Sequence, residues 1–211
     1  SSCSVYGNVK GSVTEKSIPK PKGYYAFTKF EGEKIIKKYS KEIGYNYGIL
    51  RYFNVAGASS SKKIGEIEIS HGHLIKNISI QALKKKPTIK IYGTNYNTFD
   101  GTCIRDYIHV SDLSKIHIMA LSILKSKKKP FIVNCGHGKG HSVKQIINVF
   151  KKIKKNVNII EVSRRKGDVA QVYSNTTKFK KLFKWSSNFK NIESIIKSSI
   201  TWERILKKKN N

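Results

Sequence analysis

The stretch from Tyr24 to Gly57, YYAFTKFEGEKIIKKYSKEIGYNYGILRYFNVAG, decides the fold. Phe27, Phe30, Ile35, Ile36 and Tyr39 recur at helical spacing from Tyr24 to Ile43, and Gly44 ends the run. Tyr47 to Tyr52 then reads as a short buried strand, and Asn54 to Gly57 as a loop at its carboxyl end, where open α/β sheets place ligands. Tyr25 and Lys29 stand at the head of this helix. Four residues turn an α-helix by about 400°, so the two side chains share one face, which Tyr24 does not. An ammonium beside a phenol favours the phenolate, lowering a pKa that starts near ~10 and giving a base usable at neutral pH. Such a pair suits a redox enzyme that takes a proton from a sugar or alcohol hydroxyl. The same spacing also occurs on ordinary helix surface in a chain rich in Tyr and Lys, so context decides.

Outward from this stretch, Ser1 to Tyr6 reads as the tail of a strand, followed by a turn at Gly7 and a polar loop through Pro19 and Pro21. Downstream, helices are expected over His73–Leu83, over Asp112–Leu124 with Ser111 as cap, and from Ser142 to Ile153. Two more are expected near Thr176–Phe183 and Asn191–Lys208, the last fraying into a solvated lysine-rich tail. Strands are expected over Thr88–Tyr92, Arg105–Val110, Phe131–Cys135 and Val157–Val162, with a polar loop from Ser163 to Val172. Alternating strands and helices argue for an α/β protein.

The 211 residues suffice for one sizeable core, or for one domain and part of another. No apolar run approaches the ~18 residues of a membrane span and no signal segment opens the chain, so a cytoplasmic protein with no membrane partner is expected. Cys3, Cys103 and Cys135 are odd in number and widely spaced, which suggests neither a disulfide framework nor a zinc site. The formal charge of +29 suggests polyanion binding, but 37 of the 42 basic residues are lysines scattered through every segment, with no recognition motif. Compositional drift accounts for this better than a specific nucleic-acid partner. The five arginines are more informative, because the planar fork that Lys cannot copy falls at Arg105 and at the adjacent Arg164-Arg165. His109, Asp112 and Asp106 match no standard metal spacing, and Gly136 to Gly140 fits a strand-to-helix turn better than a phosphate loop.

Five motifs follow one another in order: Ser1-Ser2-Cys3-Ser4-Val5-Tyr6-Gly7, Tyr25-Ala26-Phe27-Thr28-Lys29, Arg51 to Gly57, Asp100 to Leu113, and Arg164-Arg165-Lys166-Gly167-Asp168. Together they resemble the UDP-glucose 4-epimerases of the extended short-chain dehydrogenase/reductase family over nearly the whole chain. The resemblance implies the C-terminal part of a Rossmann-type doubly wound sheet plus a smaller α/β substrate-binding domain. Residues 1–57 would be the remainder of the NAD-binding domain, and 58–211 mainly the UDP-sugar domain, with some segments returning to the first.

The resemblance also implies a reaction and its residues. UDP-glucose and UDP-galactose would interconvert through a 4-keto intermediate, with NAD taking and returning the hydride. Tyr25 would take the C4 hydroxyl proton, Lys29 would hold Tyr25 near phenolate and bond the nicotinamide ribose, and Ser2 would share the hydroxyl's hydrogen bonds. From the residues alone, Ser2 is also a strand-end hydroxyl satisfied by a turn. Tyr52 and Phe53 would lie against the cofactor, although such a pair also suits the core end of a buried strand. Asn54 would bind the UDP end. Arg105 and Arg165 would clamp the diphosphate, Asp168 would accept from a ribose hydroxyl, Leu74, Lys90, Ile91 and Tyr92 would line the uracil pocket, and Tyr107 would stand near the substrate. An Arg-Asp surface pair is the plainer reading of Arg165 and Asp168.

Departures from the family pattern carry expectations too. His73 stands where some members carry Asn, and Val172 where some carry a bulky Tyr, which would leave room for N-acetylated UDP-sugars. The family's Gly-x-x-Gly-x-x-Gly loop, which would hold the NAD pyrophosphate, occurs nowhere in the 211 residues. The expectation is therefore a chain without roughly its first four Rossmann strands, inactive alone and homodimeric when full-length. Other NAD-dependent sugar-nucleotide epimerases, decarboxylases or dehydratases, and a basic polyanion-binding fragment, are the alternatives.

Overall fold

The computed structural model describes residues 1–9, 11–67, 73–184, 186–189 and 191–209, and is a mixed α/β structure. Helix α1 spans Tyr24–Ile43 and closes on Gly44 in the left-handed conformation, as its sequence requires. Strand β1 (Ser12–Val13) precedes it, and β2 (Gly48–Tyr52) and β3 (Asn54–Ala56) follow, separated only by Phe53. Then come α2 (Leu74–Ala82), β4 (Thr88–Tyr92), β5 (Ile104–His109), α3 (Val110–Lys127) and β6 (Phe131–Cys135). β7 (Gly140–Ser142), α4 (Val143–Ile153), β8 (Asn158–Val162), β9 (Gln171–Ser174), α5 (Thr177–Phe183) and α6 (Ile192–Lys209) complete the order.

Phe53 is the pivot of the topology. Before it, β2 runs parallel to β6; after it, β3 runs parallel to β5, which also pairs in parallel with β9 and antiparallel with β7, while β1 lies beside β9. A separate parallel pair joins β4 and β8. Three apolar clusters hold these pieces. One lies among α2, α4, α6 and β4, around Ile78, Ile146, Phe150 and Ile196. A second joins β2, β6, α3 and α5 around Leu50, Ile116, Val133 and Phe183. The third, Val5, Tyr6, Val13, Phe53 and Val172, sits at the pivot.

Several expectations need correction. After a single parallel bridge from Ser2 to Tyr52, residues Cys3–Tyr6 wind as a 3₁₀ helix instead of continuing a strand, because the Ser2 hydroxyl caps the turn by accepting the Ser4 N–H at 3.2 Å. His109, not Ser111, caps α3, since its Nδ1 accepts the Ser111 N–H at 3.1 Å. The expected loop from Ser163 to Val172 ends inside β9; strands of two to four residues, such as β1, β3, β7 and β9, show too few alternations to be read from pattern. Helix α6 continues to Lys209, so that much of the expected frayed tail is ordered, and residues 210 and 211 lie outside the described residues. Most of the apolar stripe of α1 is not core: Phe27, Ile35, Ile36 and Tyr39 are exposed, Phe30 packs half-buried on the pivot cluster, and only Ala26 and Glu33 of the 20 residues are buried.

Candidate active site

Strand β5 builds the floor of the site. Cys103, Arg105 and Tyr107 lie two residues apart and line one cleft, while Ile104, Asp106 and Ile108 face away, as strand alternation demands. Two cavities of about 740 and 440 Å³ share Asn54, His73, Leu74, Arg105, Tyr107 and Asp168 in their walls, so they form one continuous cleft.

Behind the floor, Asp106 is fully buried and accepts the backbone N–H groups of His137 and Gly138 at 2.9 Å each, the N–H of Ser174 at 3.1 Å and its hydroxyl at 2.5 Å. Burial still pushes its carboxyl above the usual range, the hydrogen bonds pulling the other way. This carboxylate takes the amides of the 136–140 turn, and a Cβ at Gly136 would stand 2.4 Å from its oxygen, which is why that turn needs glycine. Asp100 accepts the Thr102 N–H and hydroxyl at 2.9 and 2.7 Å and the Ser142 hydroxyl, tying the start of β5 to the head of α4. His109 is buried with Nε2 3.0 Å from the Ser198 hydroxyl; since Nδ1 accepts from Ser111, Nε2 is the assigned donor. Asp112 accepts from Ser187 and from the Asn188 N–H at 3.4 Å. Most of the Asp100 to Leu113 motif therefore shapes the strand; Cys103, Arg105 and Tyr107 are the residues it presents to the cleft.

At one end of the cleft two guanidiniums flank one carboxylate. Arg165 Nε donates to Asp168 Oδ2 at 3.1 Å and Arg105 Nη2 stands 4.0 Å from Oδ1. Arg105 also donates to the Ile104 carbonyl at 2.9 Å, and the Arg165 guanidinium lies 4.7 Å from the Tyr92 ring centroid. Leu74 and Lys90 line the same end. Ile91 does not, because its side chain is buried in the core cluster. Asn77, Gln81 and Lys84 also line this end and were not among the sequence expectations. Their spacing of four and three residues puts them on one face of α2 and its C-terminal turn, a helical pattern readable in the sequence.

Ser2, Tyr25, Tyr52, Phe53 and Val172 line the other end with Cys3. Lys29 Nζ is 5.3 Å from the Tyr25 ring centroid, stacked along α1 one turn further from the cleft. The Ser2 hydroxyl lies 3.0 Å from that of Ser4 and caps the 3₁₀ turn, so the turn role holds in this structure. Phe53 and Val172 are in the pivot cluster and meet the cleft only at their edges. Tyr52 and His117 are 2.6 Å apart; with Nδ1 of His117 directed at the Leu113 carbonyl, Nε2 is the assigned acceptor of the Tyr52 hydroxyl. Burial raises the Tyr52 phenol and pushes Tyr107 up to about 12, with Arg105 opposing in part for Tyr107. Burial likewise pushes the Cys3 thiol up to about 12. Neither of those tyrosines suits proton abstraction near neutrality, and Tyr25 is the one cleft tyrosine that has a lysine one turn away on its own helix.

A family model described as the NAD dependent epimerase/dehydratase family matches residues 1–136. The chain belongs to that family. Among its relatives, the UDP-glucose 4-epimerase of Azospirillum brasilense is 34% identical over 98% of this chain and 60% of that protein. UDP-arabinose 4-epimerase 1 of Arabidopsis thaliana is 36% identical over 97% of this chain and 50% of its own length. The crystal structure of UDP-glucose-4-epimerase from Stenotrophomonas maltophila, with bound NAD and formylated UDP-arabinopyranose, superposes with a TM-score of 0.92 at 30% identity, covering 99% of this chain and 63% of that one. The chain thus spans about 60% or less of the length of these curated relatives.

Proposed function

We propose that the cleft is the UDP-sugar site of an NAD-dependent 4-epimerase that interconverts UDP-glucose and UDP-galactose. The observation that carries this reading is one continuous cleft with an Arg105–Asp168–Arg165 group at one end and Tyr25 at the other. A nucleoside diphosphate carries its negative charges between two uncharged ends, and paired guanidinium forks suit that middle better than they suit one carboxylate. Asp168 holds the two arginines at hand and is free to turn to a ribose hydroxyl once phosphates take its place. His73, Leu74, Lys90, Tyr92 and the Ile91 main chain would surround the uracil, and Asn54 would bond the UDP end between the cavities. On this reading 1–57 supply the cofactor-side remainder and 58–211 mainly the UDP-sugar side.

At the sugar end, Tyr25 would accept the C4 hydroxyl proton and later return it, with Lys29 one turn along α1 bonding the nicotinamide ribose. Ser2 would orient the same hydroxyl, and Tyr107, kept neutral by burial, would offer a hydrogen bond and no base. Tyr52 and Phe53 would bear on the nicotinamide. NAD supplies the hydride acceptor when bound. The residues on that side fit it in kind, since Tyr25, Lys29 and Phe53 give a cation and aromatic faces, but no glycine-rich pyrophosphate loop is present in the sequence. The whole enzyme would act as a homodimer in the cytoplasm. Turnover of UDP-galactose by the whole enzyme with NAD, as parent and as Tyr25→Phe, tests this. A loss of two or more orders of magnitude in Tyr25→Phe, with UDP affinity retained, is expected; equal turnover in both proteins would sink the assignment.

A further inference from the structure

One polar network outside the cleft joins everything that carries its sugar end. Arg51, on β2, donates from Nε to Glu33 Oε1 at 2.8 Å and from Nη2 to Glu33 Oε2 at 2.6 Å, a bidentate pair with both residues 2% exposed. Its third nitrogen donates to the Tyr6 hydroxyl at 2.8 Å, and Tyr6 donates to Asn134 Oδ1 at 2.6 Å. Asn134 in turn donates to the Val13 carbonyl at 3.0 Å, and the Ser1 hydroxyl donates to Glu33 Oε1 at 2.6 Å. One guanidinium therefore binds α1, β2 and the segment before Gly7, and each brings residues to the cleft: Tyr25 from α1, Tyr52 and Phe53 beside Arg51, and Ser2 with Cys3.

Glu33 follows Tyr25 and Lys29 at the same four-residue interval, so the three lie along one slowly turning face of the helix. Apart from Ala26, it is the one residue of α1 that is buried. With apolar packing on the described residues confined to Ala26 and the half-buried Phe30, this 20-residue helix depends strongly on directed bonds for its placement. A buried ion pair adds little net stability compared with an apolar pair of similar volume, but it fixes geometry through its fork.

We propose that Glu33 and Arg51 are positioning residues: their bidentate pair sets where the first turns of α1, and with them Tyr25 and Lys29, stand against Ser2 and the end of β2. The role rests on the reading of Tyr25 as the base. The test compares the parent with Glu33→Leu/Arg51→Met, which removes both charges and keeps apolar volume, and with Glu33→Asp, which keeps the charge and shortens its reach. Backbone hydrogen exchange is measured across the chain, UDP affinity by calorimetry, and kcat and KM for UDP-galactose with NAD supplied. In the double variant, α1 amides should exchange at least tenfold faster, with α2, α4 and α6 and the UDP affinity unchanged within twofold. kcat should fall at least tenfold at a KM within twofold, and Glu33→Asp should fall between the two. If the double variant does not fold, Glu33→Asp must show the same pattern on its own. Unchanged α1 exchange overturns the proposal, and so does a loosened α1 with an unchanged kcat. A parent without turnover is what the absent glycine-rich loop would give and says nothing against Tyr25, and the exchange measurement then decides the positioning.

Discussion

At one end of the cleft the Arg105 and Asp168 side chains are 16% and 23% exposed and hold each other in place, while at the other end Tyr25 is 61% exposed on a helix that buries almost nothing. The first end is backed by Asp106 and a fully buried strand face; the second is tied by the buried Glu33–Arg51 pair, the Ser1 hydroxyl and the half-buried Phe30. The first end is thus assembled from this chain's own packed residues. At the second end the helix surface, Phe27, Ile35, Ile36 and Tyr39, is uncovered among the described residues. Binding of the nucleotide and chemistry on the sugar should respond differently to the same perturbations.

The sharpest way to break the contrast is at Asp106. Replacing it by Ala removes the acceptor of the His137 and Ser174 N–H groups and of the Ser174 hydroxyl, and leaves Gly138 only its bond to that hydroxyl; it should cost on the order of 4 kcal/mol in chemical denaturation. A loss below about 1 kcal/mol would mean the first end is not built on it. The next effect is in pH. Burial pulls His109 down from 6.5 to about 4, with His137 adding and Asp112 opposing. The unfolded state then takes up a proton that the folded state refuses. Its contribution is fully present above pH 6.5, is lost as pH falls toward about 4, and amounts to on the order of 3 kcal/mol. His109→Gln should flatten that part of the stability profile, and an unchanged slope would contradict the neutral imidazole.

A smaller effect is expected in binding. Arg105→Ala should weaken UDP by about 2 kcal/mol, roughly 30-fold, whereas Tyr25→Phe should leave UDP affinity alone. Comparable losses in both would erase the distinction between the ends. The smallest effect lies on the open helix face. Phe27→Ser should change unfolding free energy by less than about 0.5 kcal/mol, since Phe27 is 55% exposed. A larger loss would show that the stripe is covered in solution.

Much of this was legible in the sequence. Helix α1 and strands β4 and β6 fall where spacing and stop signals put them, because each is long enough to repeat its pattern and ends on a clear break. Fourteen of the expected site residues line the cleft, Lys29 and Ile91 being the exceptions. What escaped was set by tertiary contact. The short strands β3 and β9 exist through pairing, β3 with β5 and β9 with β5 and β1. The Ile91 side chain lies in the core because helices α2, α4 and α6 cover that face of β4. The stripe of α1 has perfect helical period and lies open, since periodicity reports that a face is apolar and not what covers it. Glu33 and Arg51 are 18 residues apart, and no spacing rule links a helix to the strand that follows it.

The claim that this cleft is a nucleoside-diphosphate site with a preformed arginine pair is tested most directly by calorimetry of UDP binding. The parent, Arg105→Ala/Arg165→Ala and an ADP control would be measured in the same salt. The account expects one saturable UDP site in the parent, weaker ADP binding, and loss of the UDP site in the double variant with stability retained. Failure of the parent to bind UDP, or equal binding by the double variant, would contradict it.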